Sequence, residues 1–378
     1  MTYPEKILDI KRFGTPPEAN RRVTIGITGC GYWGPNLARN FTALPNCRVK
    51  AICDVRQERL AYVQGLYCDL GITTNYAELI EDTAIDALVI ATPVRFHFEM
   101  ALQALEAGKH IFIEKPMAAS VKEAKILIQA ARERNLILMV GHTFIYSSAV
   151  RKIKEIVKSG ELGEIQYVAA RRLNLGLFQK DINVTWDLAP HDISIISYVL
   201  DKDPISVNCQ GKAHVNPDIE DITSMVLNYH NGGIATIQNS WLDPNKVRDM
   251  TFVGSKKMLV YNDLEPMEKL KIYDKRVEIP PHYDTFAEFH YSYHYGDMYA
   301  PYIKQYEPLK VECQHFIDCI LTGQTPITNG AEGLKVIQVL EAASESLRLG
   351  GAPVHLDYSQ EGASRELNRG QASEGAFL

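Results

Sequence analysis

The sequence predicts an α/β protein: an N-terminal doubly wound domain on a parallel sheet, then an α+β domain with a large open, mostly antiparallel sheet. Three observations predict it. Five short apolar runs, 23–29, 49–54, 87–92, 110–116 and 136–142, alternate with helical stretches. Near-continuous apolar strands separated by helices mean a parallel sheet covered on both faces. Past about residue 145 the pattern changes to two-faced strands at 204–215, 222–229, 234–241, 249–254, 257–261 and 270–278, with the hairpin signal Asn231-Gly232-Gly233 joining two of them. A length of 378 residues fits two domains of ordinary size.

Along the chain, residues 1–22 contain Pro16-Pro17 and little periodicity, and are expected to form an arm. The doubly wound domain is expected over 23–144. Its helix 96–107 sets Met100, Ala101, Ala104 and Leu105 on one face and stops at Gly108, and its helix 120–134 opens on the capping box Ser120…Glu123. The second domain is expected over 145–356. It starts with a helix at 147–158 (Val150, Ile153, Ile156, Val157), a strand at 164–171, a long polar loop and a helix at about 186–200. Helices near 308–322 and 331–349 close it, the latter with Leu334, Ile337, Leu340, Ala343 and Leu347 at helical spacing. The small, polar residues of 357–378 read as a disordered tail.

Composition excludes several classes. A net charge of −6 with no Lys/Arg block longer than a pair argues against nucleic acid as a partner. The seven cysteines are odd in number and none has CxxC spacing, so neither a disulfide framework nor a zinc knuckle is expected. No leader and no run of about 20 apolar residues is found, so a cytoplasmic protein without a membrane span is expected. The segment 282–302 is dense in aromatics and histidines, and either stacks a base or sugar or packs under a neighbouring subunit.

Gly29-Cys30-Gly31-Tyr32-Trp33-Gly34 is a GxGxxG placed between a strand and a helix. Gly29 permits the turn, Gly31 lets a pyrophosphate approach, and Gly34 lets helix and strand pack closely; Tyr32 and Trp33 belong to the same candidate cofactor site. Asp54 ends the second strand, where a carboxylate accepts from a ribose diol and repels a 2′-phosphate, which favours NAD over NADP. Arg56 and Arg59 lie close enough in sequence to bear on that choice. Thr92-Pro93 and Glu114-Lys115-Pro116 end the next two strands and are expected at the nicotinamide end. His97 either touches the cofactor or is a surface histidine at a helix start.

Oxidising a secondary alcohol needs a proton acceptor beside a hydride acceptor. Lys115 and His191 are the candidates, with His191 as base and Lys115 as its partner or the reverse. Asp187 lies four residues before His191, so the two share a helix face and the carboxylate could orient the imidazole. His191 is expected to come from the second domain. No further Asp, Glu or His at matching spacing suggests a metal. Tyr146, after the fifth strand, and Arg172, Asn174, Lys180, Asn183 and Trp186, in the polar loop 171–186, are the candidate substrate contacts. One face of the second sheet is expected to be apolar and buried in an oligomer.

The GxGxxG turn, Asp54, Thr92-Pro93, Glu114-Lys115-Pro116, and Asp187 with His191 together resemble the glucose-fructose oxidoreductase/inositol dehydrogenase (Gfo/Idh/MocA) family, over about residues 23–350. The resemblance implies a Rossmann domain plus a sheet domain, dimers or tetramers packed through that sheet, and sugars, cyclitols or nucleotide sugars as substrates. GYWGPNLARN (31–40) and WDLAPHDISI (186–195) are similar to members of bacterial polysaccharide synthesis, the nucleotide-sugar 3-dehydrogenases. An inositol or free-sugar dehydrogenase and an NAD-binding regulator without turnover are the alternatives. Where many members carry Arg-Tyr or Arg-Phe after the fifth strand, this chain has Ile145-Tyr146.

Overall fold

The computed structural model describes residues 21–278 and 292–358. The expected arm up to residue 20, the expected tail from residue 359, and the part of 282–302 before residue 292 lie outside the described residues. Two compact units form. The first takes the residues up to Ser159 together with Pro190–Leu200 and Ala300–Gln338, and the second takes Gly160–Ala189, Asp201–Tyr299 and the residues from Val339. Two later stretches of chain thus return to the first unit.

In the first unit six strands, β1 (Val23–Thr28), β2 (Cys47–Cys53), β3 (Gly71–Thr73), β4 (Ala87–Ile90), β5 (His110–Glu114) and β6 (Leu138–Gly141), pair in the order β3-β2-β1-β4-β5-β6. Every pairing is parallel. The connecting helices are α1 (Gly34–Thr42), α2 (Gln57–Leu66), α3 (Tyr76–Glu81), α4 (His97–Glu106) and α5 (Val121–Glu133), and α6 (Ser148–Lys158) follows. The Ser120 side chain accepts from the Glu123 N–H, as the capping box requires, and the Ala119 N–H donates to Glu123. Strands β4 and β6 are buried at every residue, the mark of a sheet covered on both sides. The sequence reading missed β3, α2 and α3. A three-residue strand is too short to show a period, and α2 buries only Leu60 and Val63.

Helix α8 (Pro308–Thr322) completes this core from far along the chain. Phe316 from α8 meets Phe41 of α1 and Phe112 of β5 edge to face, at ring separations of 6.2 and 5.7 Å, and Phe41 and Phe112 stand 6.0 Å apart. All three are fully buried. Such pairs add to the free energy of simple area burial. Arg39 of α1 and Glu307 at the start of α8 form an ion pair beside this contact.

The second unit is built on nine strands. These are β7 (Ile165–Leu173), β8 (Ser206–Lys212), β9 (Ile222–Asn228), β10 (Ile234–Ser240), β11 (Val247–Gly254), β12 (Met258–Asn262), β13 (Leu270–Glu278), β14 (Ser292–Tyr299) and β15 (Val354–His355). Their order is β14-β13-β12-β11-β7-β10-β9-β8-β15, and only β7 and β10 run parallel. Helices α7 (Val184–Leu200) and α9 (Gly330–Arg348) contribute residues to both units. One face of the sheet is a continuous apolar layer: Val207, Leu227, Ala235, Val168, Phe252, Leu259 and Ile272 form one row in register, all buried.

The opposite face departs from the expectation. Its rows read Asn208, Val226, Thr236, Ala169, Thr251, Val260, Lys271 and Gln210, Ser224, Gln238, Arg171, Asp249, Asn262. Arg171 and Asp249 pair across strands at 2.6 Å. The face is thus mixed, because β-branched and small polar residues alternate with the core row as readily as apolar ones do. Strand β14 was not anticipated: seven of its eight residues are exposed, so no alternation betrays it.

Removing a ring from the aromatic trio should leave a cavity that the sheet cannot collapse. Phe112→Ala is expected to lower stability by about 3–5 kcal/mol, read from denaturant unfolding of the full chain.

Candidate functional site

The glycine turn joins β1 to α1, and each glycine has a distinct reason. Gly29 has φ of 95°, and a Cβ there would stand 2.5 Å from the Ala91 carbonyl oxygen. A Cβ on Gly34 would run into the carbonyl oxygen of Gly29. Gly31 is different: no described atom lies within 4 Å of where its Cβ would be. The first turn of α1 holds Pro35 and no acidic residue, and among the described residues no side chain caps it. Its amides therefore face open space at Gly31, and a helix N-terminus of this kind holds an anion. The donor set fits the pyrophosphate of a dinucleotide. Tyr32 is 80% exposed, with Trp33 edge-on at 5.3 Å, so both border this space.

Asp54 follows β2 directly and is buried. Its Oδ2 accepts the Cys30 N–H at 2.7 Å, which ties the second strand to the glycine turn. Its Oδ1 accepts the Arg56 N–H at 2.9 Å and Arg56 Nε at 3.2 Å. Burial pushes this carboxyl upward, but the hydrogen bonds from Arg56 and Cys30 outweigh it and hold the group below the ordinary range. The carboxylate is therefore ionised at the C-terminal end of β2, with the Arg56 guanidinium alongside. Arg59 is exposed on α2.

Thr92-Pro93 and Glu114-Lys115-Pro116 follow β4 and β5, adjacent strands of one sheet. His97 binds them together: Nδ1 lies 2.8 Å from the Pro116 carbonyl oxygen and Nε2 lies 2.7 Å from that of Thr92. This corrects both readings offered for His97. The ring is buried and both nitrogens are committed to backbone, so it is a brace and neither a cofactor contact nor a surface residue. Burial holds its pKa below the usual histidine value, against the pull of the two carbonyls. Glu114 is also turned inward. It is buried, and its Oε2 accepts the Lys115 N–H at 3.3 Å, so its carboxyl lies under the strand end. Lys115 itself is half-buried.

His191 groups with the first unit, not the second as expected. Its ring packs edge-on against Phe144 at 5.0 Å, in the short 3-10 turn Thr143–Tyr146 that follows β6. Since β6 is the neighbour of β5, Lys115 and His191 belong to one unit, past the C-terminal ends of adjacent strands. Asp187 belongs to the second unit, where its Oδ2 accepts Trp241 Nε1 at 3.1 Å. Neither Phe144 nor Trp241 was found in the sequence, because each acts through a neighbour remote in the chain.

The candidate substrate contacts divide. Tyr146 is 1% exposed and its hydroxyl pairs with Thr328 Oγ1 at 3.0 Å, so it is a core residue. Arg172 is buried too, on the helix-covered face of β7. Asn183 is a helix cap: its Oδ1 accepts the Trp186 N–H at 3.2 Å, and its Nδ2 donates to Glu220 at 2.8 Å. Trp186 donates its indole N–H to Ser344 at 2.8 Å, which seats it against α9. Asn174 and Lys180 remain on the surface of the loop, half-buried and exposed respectively. The loop also exposes Leu175 and Leu177. All seven cysteines are free thiols. Among the described residues, no three His, Cys, Asp or Glu gather as a metal site, and no helix is long and apolar enough to cross a membrane.

Residues 23–142 match the family model described as an oxidoreductase family with an NAD-binding Rossmann fold, and residues 150–260 match the Gfo/Idh/MocA C-terminal domain. An uncharacterised oxidoreductase YrbE of Bacillus subtilis is 28% identical over 90% of this chain and 98% of its own length. The scyllo-inositol 2-dehydrogenase (NAD(+)) of the same organism is 26% identical over 89% of this chain and 97% of its own. The UDP-N-acetylglucosamine 3-dehydrogenase of Acidithiobacillus ferrooxidans is 30% identical over 57% of this chain and 66% of its own. Its solved structure superposes with a TM-score of 0.71, at 24% identity, over 87% of this chain and 99% of that one.

The glycines should separate on substitution. Gly34→Ala is expected to cost about 1–3 kcal/mol or more of stability through overpacking. Gly31→Ala should melt with the wild type and lose about tenfold or more in NAD+ affinity. Thermal melts and calorimetric titration distinguish the two.

Proposed function

Since the chain belongs to the Gfo/Idh/MocA oxidoreductase family, we propose that it moves a hydride between NAD and the C3 hydroxyl or ketone of a nucleotide sugar. The observation that carries the reading is the open, uncapped cradle at Gly31 in the same unit as Lys115 and His191. The segments 31–40 and 186–195, and the relative that is a UDP-N-acetylglucosamine 3-dehydrogenase, support the nucleotide sugar. A polyol substrate is the second reading, favoured by the near-full-length likeness to the scyllo-inositol enzyme.

Gly29, Gly31 and the α1 amides would hold the pyrophosphate, Asp54 the adenosine ribose, and the strand ends at Thr92 and Lys115 the nicotinamide. When bound, the nicotinamide supplies the hydride acceptor or donor. The residues handle the proton. His191 or Lys115 takes it from the substrate hydroxyl, and the Lys115 amino group steadies the negative charge that builds on that oxygen. Asp187 is a positioning residue, held by Trp241 on the same helix as His191.

A homodimer or homotetramer packed through the mixed sheet face fits the half-buried row from Asn208 to Lys271, and light scattering at micromolar concentration reads it. A cytoplasmic location fits seven free thiols.

Following NADH absorbance with a panel of UDP-sugars, inositols and free sugars tests the reading. Turnover on a UDP-sugar and little on the others is expected; turnover on an inositol alone replaces it with the polyol reading. On the active substrate, Lys115→Met and His191→Ala should each lower kcat by about 10²–10⁴-fold while sparing NAD+ binding. The double variant should lose less than the product, since both act on one proton. Asp187→Asn should do less harm than His191→Ala, and a near-normal kcat in His191→Ala would remove it from the mechanism. Asp54→Ala should narrow the preference for NAD over NADP, compared by calorimetry.

A further inference from the structure

A group of buried ionisable side chains lies beneath Lys115, and the reaction outlined above does not use it. Glu114 pairs in register with Gly141, and a Cβ on Gly141 would stand 3.1 Å from Glu114 Oε2. Two residues on, Thr143 donates its hydroxyl to Glu312 Oε2 at 2.6 Å, bringing in a carboxyl from α8. Glu312 is wholly buried and Glu114 nearly so. One oxygen of each, Glu114 Oε1 and Glu312 Oε1, is buried with no hydrogen-bond partner among the described residues. The two nitrogens of buried His142, between Gly141 and Thr143, are in the same condition.

Two ionised carboxylates here would repel one another, each with an orphan acceptor, and burial makes that arrangement costly. A single proton resolves it, because one carboxylic acid then donates to the oxygen of the other. We propose that Glu114 and Glu312 hold a proton between them, and that Glu312 is thereby a positioning residue that sets the charge beneath the Lys115 amino group. Burial pushes Glu114 up to about 7, with the Lys115 charge pulling the other way. Glu312 is held well above the carboxylate range by burial and then by the Glu114 charge, against the Thr143 hydrogen bond. The other groups facing the pair do not change charge near neutrality. His142 is pushed down to about 3 by burial and by Lys115, so it is neutral. Tyr146 and Cys313 are held protonated by burial and by Glu312. The pair is uncharged below about pH 7 and carries one negative charge above it.

The proposal takes from the functional reading only the assignment of Lys115 to the nicotinamide end. Two measurements on the full chain, neither needing a substrate, test it. The first is melting temperature against pH from 5 to 8. A folded pKa raised above the unfolded value of about 4.3 contributes stability below that value and loses it as pH rises through the folded one. The wild type should therefore lose melting temperature toward pH 8, and Glu114→Gln should lose that slope. Glu312→Gln, which keeps an acceptor for Thr143 and a neutral donor for Glu114, should retain it. Glu312→Leu should carry the slope on to a pH about one unit or more higher before it levels off.

The second measurement is the ratio of NAD+ to NADH affinity at pH 6 and pH 8. A negative charge at the nicotinamide end favours the cationic ring, so the ratio should rise about three- to tenfold in the wild type and in Glu312→Gln. It should stay flat in Glu114→Gln and Glu312→Leu. An unchanged slope and ratio in Glu114→Gln, or a Glu312→Gln variant that behaves like Glu114→Gln, overturns the proposal. If Glu312→Leu does not fold, the two glutamine variants decide. Absence of NAD+ and NADH binding in the wild type would instead sink the functional reading and leave the melting test standing.

Discussion

The candidate site hangs on the ends of two neighbouring strands, and those ends are held by one imidazole. His97 spans from the carbonyl after β4 to the carbonyl after β5. The neutral ring donates from one nitrogen only, so without it whichever of the Thr92 and Pro116 carbonyls accepts that proton would have to find another donor inside the protein, where water is scarce and an unsatisfied carbonyl is costly. With it, the turn carrying Lys115 is referenced to the strand beside the glycine loop. The Cys30 amide on Asp54 does the same job one strand over, joining β2 to the start of the glycine turn. Both links are side chain to backbone, so they fix main-chain geometry and leave the presented side chains able to vary.

The parallel sheet and most helices were legible because their signals are local. Apolar runs, the Ser120…Glu123 box and the stop at Gly108 each lie within one element. Elements with little buried surface were not. Strand β14 exposes almost all of its residues, and α2 hides only two, so neither carries a period. Within the site, the glycine turn, Asp54 and the Lys115 motif were readable because backbone conformation or strand position dictates the residue type. Tyr146 misled because a hydroxyl looks the same in sequence whether it meets a substrate or a core partner such as Thr328. Glu312 was invisible for the converse reason. Its partner Thr143 lies on the far side of the sequence, and a glutamate in an amphipathic helix reads as a surface residue.

The second sheet shows how two faces of one set of strands serve different ends. The row from Val207 to Ile272 is apolar and closed by helices. The row from Asn208 to Lys271 mixes threonine, valine and asparagine, and the Arg171–Asp249 pair sits in the next row. A face of this composition tolerates water, and its cross-strand pairs present fixed donors and acceptors. It therefore lacks the adhesiveness of an exposed apolar sheet and suits a partner that matches it group for group.

The aromatic trio has a consequence for the order in which the molecule can be made. Phe41 and Phe112 are translated early, but Phe316, which completes their packing, emerges from the ribosome after strands β7 to β14 of the second sheet. At ordinary elongation rates of about 5–20 residues per second, the nascent Rossmann half spends tens of seconds with an uncovered aromatic face. Its strands can pair in that interval, yet their hydrophobic seal comes only when α8 arrives. Closure of the nucleotide-binding half thus waits for α8, and a chain released before Phe316 would expose that face to chaperones and proteases.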